Sequence, residues 1–134
     1  MTQLAGIALL GAGRMAKVHA SAIRQAGGQI VAVYDPVSAA ADAMAAETGA
    51  AVASSAAAAI NHPQVDAVVI ATSSDTHVEL IIAASHAGKS VLCEKPLASS
   101  LAEARRCIEI IGREAAQRVF LGFNRRFDRG HASV

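Results

Sequence analysis

The sequence predicts an α/β fold of the doubly wound kind, a mainly parallel sheet of about six strands with helices on both faces. Two observations carry that expectation. Short aliphatic runs such as Ile7-Ala8-Leu9-Leu10 and Ala67-Val68-Val69-Ile70 show no polar alternation, which is how strands covered on both faces read. The runs also alternate with longer stretches of helical character, so that successive strands are joined by right-handed helical crossovers and lie parallel.

In chain order, a strand at 7–10 enters a glycine-rich turn and a helix over 14–26. Gly27-Gly28 falls where a helix C-terminus favours a left-handed residue, and the strand Ile30-Val31-Ala32-Val33-Tyr34 follows. Asp35-Pro36 ends that strand, and an alanine-rich stretch predicts a helix over 38–48, closed by Gly49. A weak strand at 50–53 and a helix over 54–61 precede the strand at 67–70. A helix over 76–87, closed by Gly88, leads to the strand Ser90-Val91-Leu92-Cys93, with Pro96 just beyond it. A long helix over 99–115 and a strand at 119–121 complete the series. On that helix Arg105 with Glu109, and Glu109 with Arg113, are spaced to pair on a solvated face, while Cys107, Ile108 and Ile111 supply the buried side. No repeat or linker divides the chain.

Composition narrows the function classes. The chain has 134 residues, 12 Lys+Arg against 11 Asp+Glu, a net charge of +1, and 53% apolar residues. That length suits one domain with its own core. Near-neutral charge argues against nucleic acid or a membrane surface as the main partner, since both call for a basic stripe. Alanine makes up about a quarter of the residues and the aromatics are Tyr34, Phe120, Phe123 and Phe127, so the core is expected to be small and aliphatic. Cys93 and Cys107 form no CxxC pair, and neither a metal site nor a disulfide frame is expected. With no basic leader before a long apolar stretch, and no apolar run near the roughly 18 residues of a span, the protein is expected to be cytoplasmic.

The first strand runs into Gly11-Ala12-Gly13-Arg14-Met15-Ala16, a G-x-G-x-x-A that opens a helix. Gly11 permits the tight turn, Gly13 lets backbone approach a pyrophosphate, and Ala16 keeps the helix close to the sheet. The helix N-terminus offers N–H groups and the positive end of its dipole to phosphates. Asp35 ends the second strand, where a carboxylate accepts from ribose hydroxyls and repels a 2′-phosphate. Together they predict a Rossmann-type site for NAD, with NADP disfavoured. The same acidic ribose recognition serves S-adenosylmethionine-dependent methyltransferases, and Asp35 is also a turn former before Pro36. Two later segments, Ala71 to His77 and Cys93 to Ala98, follow strands at the sheet edge where such folds bind ligands.

Taken together, Gly11-Ala12-Gly13-Arg14-Met15-Ala16-Lys17-Val18-His19, Ala71-Thr72-Ser73-Ser74-Asp75-Thr76-His77, Ala87-Gly88-Lys89-Ser90-Val91-Leu92-Cys93-Glu94-Lys95-Pro96-Leu97-Ala98 and Gly122-Phe123-Asn124-Arg125-Arg126-Phe127-Asp128 resemble the Gfo/Idh/MocA group of nicotinamide-dependent oxidoreductases. The last of them resembles its inositol-dehydrogenase branch. The resemblance implies hydride transfer between a nicotinamide cofactor and a secondary alcohol of a cyclitol or sugar. It places Lys95 beside the nicotinamide and the reacting hydroxyl as the catalytic residue and a substrate contact. It makes Glu94 a contact of the nicotinamide ribose, an orienting group for Lys95, or one half of an ion pair, and it implies a cis bond before Pro96. Thr72, Ser73 and Ser74 become cofactor-contacting turn residues, with helix capping the alternative for Ser74 or Asp75. Gly11, Gly13, Arg14 and Met15 would hold the phosphates, though Arg14 could equally reach substrate or stay solvated. His77 is implied to touch the cofactor, or else to pack or cap; His19 is either a motif residue or structural. Arg125 and Arg126 are implied near the substrate.

Members of this group carry a second α/β domain with an Asp-x-x-x-His motif, and this sequence shows neither. Residues 1–121 are therefore expected to be the NAD-binding domain and 122–134 the start of the connection to a second one. The isolated chain is expected to bind NAD weakly without catalysis, and the face left bare to favour a homo-oligomer. The alternative function is a stand-alone dinucleotide-binding or regulatory module.

Overall fold

The computed structural model describes residues 5–122. These form six strands, β1 (Gly6–Leu10), β2 (Gln29–Tyr34), β3 (Ala51–Val52), β4 (Ala67–Ile70), β5 (Ser90–Glu94) and β6 (Val119–Gly122). All pair in parallel in the order β3-β2-β1-β4-β5-β6. This is the doubly wound order in which the chain reverses direction next to β1, the switch point where open α/β sheets bind ligands.

Five helices complete the fold: α1 (Arg14–Gln25), α2 (Ser38–Thr48), α3 (Ala56–Ile60), α4 (His77–His86) and α5 (Leu101–Ala116). The sheet separates two apolar layers. On one face Leu9, Val33 and Val69 pack with Ala16, Ala20, Ala41 and Met44 of α1 and α2. On the other, Leu10, Val68, Ile70 and Val91 pack with Ile60, Ile81 and Cys107 of α3, α4 and α5. Leu9 and Leu10, adjacent in β1, are both fully buried because successive strand residues face opposite layers. Burying each stabilises the fold by about 1.5–3 kcal/mol. Ala16 is fully buried, which fits the small side chain needed where α1 crosses the sheet.

The strand runs and helix-ending glycines fall as the sequence predicts: Gly27, Gly49 and Gly88 take φ of +86°, +80° and +76°. α3 is shorter than expected, with Ser55 accepting from the Ala58 N–H at 3.0 Å as its cap. α5 departs most. Ser100 caps its start through the Glu103 N–H, but Gly112 adopts φ +87°, ψ 162° and breaks the helical path. The expected Glu109–Arg113 pair spans that break, so its spacing is no longer helical. On α5, Arg106 instead pairs with Glu103 and, across to α4, with Glu79. Ile108, expected on the buried side, is 48% exposed, while Cys107 beside it is buried. No helix among the described residues is long and apolar enough to cross a membrane.

Candidate cofactor site at the carboxyl edge of the sheet

Parallel register brings the ends of four strands to one edge. Leu10 of β1 pairs with Tyr34 and with Ile70, and Ile70 pairs with Cys93, so Gly11, Asp35, Ala71 and Glu94 leave the sheet side by side. Two backbone hydrogen bonds extend the alignment past the strands: Gly11 N–H donates to Tyr34 C=O at 2.7 Å, and Ala71 N–H to Leu10 C=O at 2.8 Å.

The two glycines of the turn have different reasons to be there. Gly11 has φ +106°, and a Cβ on it would lie 2.5 Å from the Ala71 carbonyl oxygen, so the fold itself requires glycine. Gly13 sits at φ −88° and a Cβ there would meet nothing within 4 Å. Its smallness serves no packing need of the chain, and leaves open space over the start of α1. Gly13 caps α1 without a side-chain hydrogen bond, and the first turn holds no acidic residue. That is the setting in which a helix N-terminus takes an anion. Arg14, in the same turn, is exposed, and Met15 is partly buried.

Asp35 is fixed by two backbone donors. Its Oδ2 accepts from the Ala12 N–H and its Oδ1 from the Val37 N–H, both at 2.8 Å. The first bond ties the end of β2 to the glycine turn. Each carboxylate oxygen has a second lone pair, so two further acceptor sites remain. Asp35 lines a cleft of about 510 Å³ with Leu10, Tyr34, Pro36, Ala56, Thr72, Ser73, Thr76 and Leu80. Its walls are mostly apolar. A flat base bordered by a ribose suits such a cleft.

Thr72 and Ser73 therefore join Asp35 at one site. Thr76, Leu80 and Tyr34, which the sequence did not mark out, belong to it too. Thr76 and Leu80 are one helical turn apart and so share a face, but only the placement of α4 beside α3 on the sheet turns that face into a wall. Thr76 Oγ1 lies 2.7 Å from both the Ser73 carbonyl and Thr72 Oγ1, which shapes the turn. Ser74 is not gathered with its neighbours: it lines a separate depression of about 240 Å³ with Asp75, Glu79, Ser99, Glu103 and Arg106. The tight turn at Ser74–Thr76 begins directly after Ser73, so the two neighbouring serines line different depressions. No side-chain cap forms at the start of that turn or of α4.

His77 is held between two turns. It is 1% exposed, its Nδ1 lies 2.8 Å from the Pro96 carbonyl oxygen, and its Nε2 lies 3.0 Å from that of Thr72. Both ring nitrogens face backbone, so the imidazole braces the turns after β4 and β5. The bond between Lys95 and Pro96 is cis, as the resemblance implied. Lys95 is exposed at the edge, and Glu94, 9% exposed, meets the His19 imidazole of α1. Cys93, one residue earlier, lies in the opposite layer. Burial first, then the neighbouring Glu94 and Cys107, pushes its thiol up to about 12. Arg125 and Arg126 lie outside the described residues.

A family model described as "Oxidoreductase family, NAD-binding Rossmann fold", GFO_IDH_MocA, matches residues 5–123. The chain belongs to the Gfo/Idh/MocA family of oxidoreductases. Inositol 2-dehydrogenase of Rhizobium meliloti (strain 1021) is 44% identical over 125 residues, covering 90% of this chain and 36% of that protein. Inositol 2-dehydrogenase of Streptomyces avermitilis is 40% identical over 134 residues, covering 96% of this chain and 38% of its own length. The crystal structure of a myo-inositol dehydrogenase from Corynebacterium glutamicum superposes with a TM-score of 0.89 at 38% identity, over 98% of this chain and 39% of that one. The chain thus spans less than two-fifths of the length of these Gfo/Idh/MocA relatives, and corresponds to their NAD-binding Rossmann domain.

Proposed function

We propose that this chain is the NAD-binding domain, residues 1–121, of a dehydrogenase that oxidises a secondary alcohol of a cyclitol or sugar, with 122–134 leading toward a second domain. The observation that carries the choice of cofactor is the Asp35 carboxylate, held by two backbone N–H groups and lining a mostly apolar cleft. Its two remaining acceptor sites suit the paired hydroxyls of an adenosine ribose, and its negative charge opposes a 2′-phosphate. The base would enter the cleft beside Tyr34 and Leu80. The phosphates would lie over Gly13 at the start of α1, with Met15 and exposed Arg14 in the same helical turn.

NAD, when bound, supplies the ring that accepts hydride. The chain's own part is to bind and orient. Lys95 would present its ammonium to the reacting hydroxyl, where a cation favours the developing alkoxide while a base takes the proton. Arg125 and Arg126 would hydrogen-bond substrate hydroxyls. The cyclitol or sugar assignment follows the inositol dehydrogenases among the relatives. Cofactor binding and catalysis separate in this reading: the isolated chain binds NAD weakly and turns over nothing.

Calorimetric titration with NAD, NADP and S-adenosylmethionine tests it. NAD is expected to bind at least about tenfold more tightly than NADP, with no binding of S-adenosylmethionine. Equal affinity for NADP would remove the ribose argument, and binding of S-adenosylmethionine alone would overturn the assignment. NAD-dependent oxidation of myo-inositol by the purified chain would overturn the separation of binding from catalysis.

A further inference from the structure

Lys95 leaves β5 between two residues that are each held by a histidine from a different helix. On one side the Glu94 Oε1 meets the His19 Nε2 of α1, with the two side chains 11% and 14% exposed. An ionised carboxylate only accepts, so Nε2 carries the hydrogen and donates it. On the other side the Pro96 carbonyl faces His77 of α4. Cys93 points into the α4 and α5 layer, so Glu94, next along the strand, points to the α1 face. Its place there also depends on Gly122, its partner in β6, where a Cβ would come 3.2 Å from Glu94 Oε1. A carboxylate so withdrawn from water needs a donor to stay there.

Strand order says which part of a ligand would meet this pair. β2, with Asp35, lies on one side of β1, and β4 and β5 lie on the other. A dinucleotide anchored by adenosine at Asp35 and by pyrophosphate over Gly13 extends across β4 toward β5. Its second ribose and ring then reach Glu94 and Lys95.

We infer that His19 is a positioning residue for this second half of the site, holding the Glu94 carboxylate where the second ribose is received. The inference rests on the dinucleotide reading above. It is tested in this chain with NAD and with ADP, which carries the adenosine and pyrophosphate but neither the second ribose nor the ring. His19→Ala is expected to weaken NAD about fivefold or more while ADP stays within about twofold. His19→Gln, whose amide N–H can still donate to Glu94, recovers most of the loss. Glu94→Ala gives the same split, and the double variant loses little beyond either single one. Glu94→Ala also reads the contact if His19→Ala fails to fold. NAD and ADP falling together, or NAD unchanged in His19→Ala, overturns the inference while leaving the dinucleotide reading in place. Wild-type chain binding neither probe overturns both.

Discussion

His77 Nδ1 lies 2.8 Å from the carbonyl oxygen of Pro96, and this contact ties the helix after β4 to the turn after β5. The other ring nitrogen faces the Thr72 carbonyl at 3.0 Å. One buried side chain thus braces the cleft-lining turn against the turn that carries Lys95. Replacing it tests the brace. His77→Ala removes the ring donor that sits between two backbone carbonyls and opens a cavity, and is expected to cost about 2–4 kcal/mol in urea unfolding. His77→Phe fills the space but not the polar contacts, and is expected to lose about 1–3 kcal/mol. If both variants stay within about 0.5 kcal/mol of wild type, the ring is not a brace.

The glycine turn predicts two opposite outcomes from one kind of substitution. Gly11→Ala forces a side chain into φ +106° with its Cβ 2.5 Å from a carbonyl oxygen, and should destabilise by about 2 kcal/mol or more. Gly13→Ala meets nothing within 4 Å and should leave stability within about 1 kcal/mol of wild type. Its effect should fall on the ligand: NAD affinity is expected to drop about tenfold or more, read by calorimetry beside a thermal melt. Undiminished NAD binding by Gly13→Ala would show that the open space over α1 is not where phosphates lie.

Asp35 serves both the fold and the ligand, since it holds the Ala12 N–H as well as facing the cleft. Asp35→Ala should therefore weaken NAD by about tenfold and erase the preference over NADP, because the repelling charge goes with the acceptor. Comparing the two cofactors in the same variant isolates the charge. A preference left unchanged would mean that other residues set it.

Cys93 gives a pH prediction with a defined sign. Burial pushes its thiol up to about 12 from the ordinary 9.0, so the native state keeps a proton that the unfolded chain releases. The stability from keeping the thiol neutral is full below about 9 and is lost as pH rises toward 12. The urea midpoint should fall more steeply between pH 8 and 10.5 in wild type than in Cys93→Ala. Aromatic disulfide reagents at pH 8 should leave Cys93 unmodified until the chain is unfolded. Parallel slopes, or rapid labelling of the native protein, would contradict the burial.

Much of this protein is legible from the sequence alone because its signals are local. Unalternating aliphatic runs separated by helical stretches determine a parallel sheet, and the six strands and their helices follow. The spacing from Gly11 through Gly13 to Asp35 marks the proposed dinucleotide site, since a tight turn, a close backbone approach and an acidic strand end are properties of a few adjacent residues. What only the tertiary structure decided depends on residues far apart in the chain. That Gly11 is demanded by the Ala71 carbonyl while Gly13 is not is a matter of which atoms lie opposite. That Thr72 and Ser73 line one depression while Ser74 lines another is set by the tight turn at Ser74–Thr76. The sequence leaves His77 as a cofactor contact or a packing residue, and α4 sets its ring between the Thr72 and Pro96 carbonyls. The meeting of His19 with Glu94, 75 residues apart, exists only because α1 lies over the face toward which Glu94 turns. Local patterns fix the elements and the chemistry at their ends; the packing of helices on the sheet selects which polar atoms are spent on the fold and which remain for a ligand.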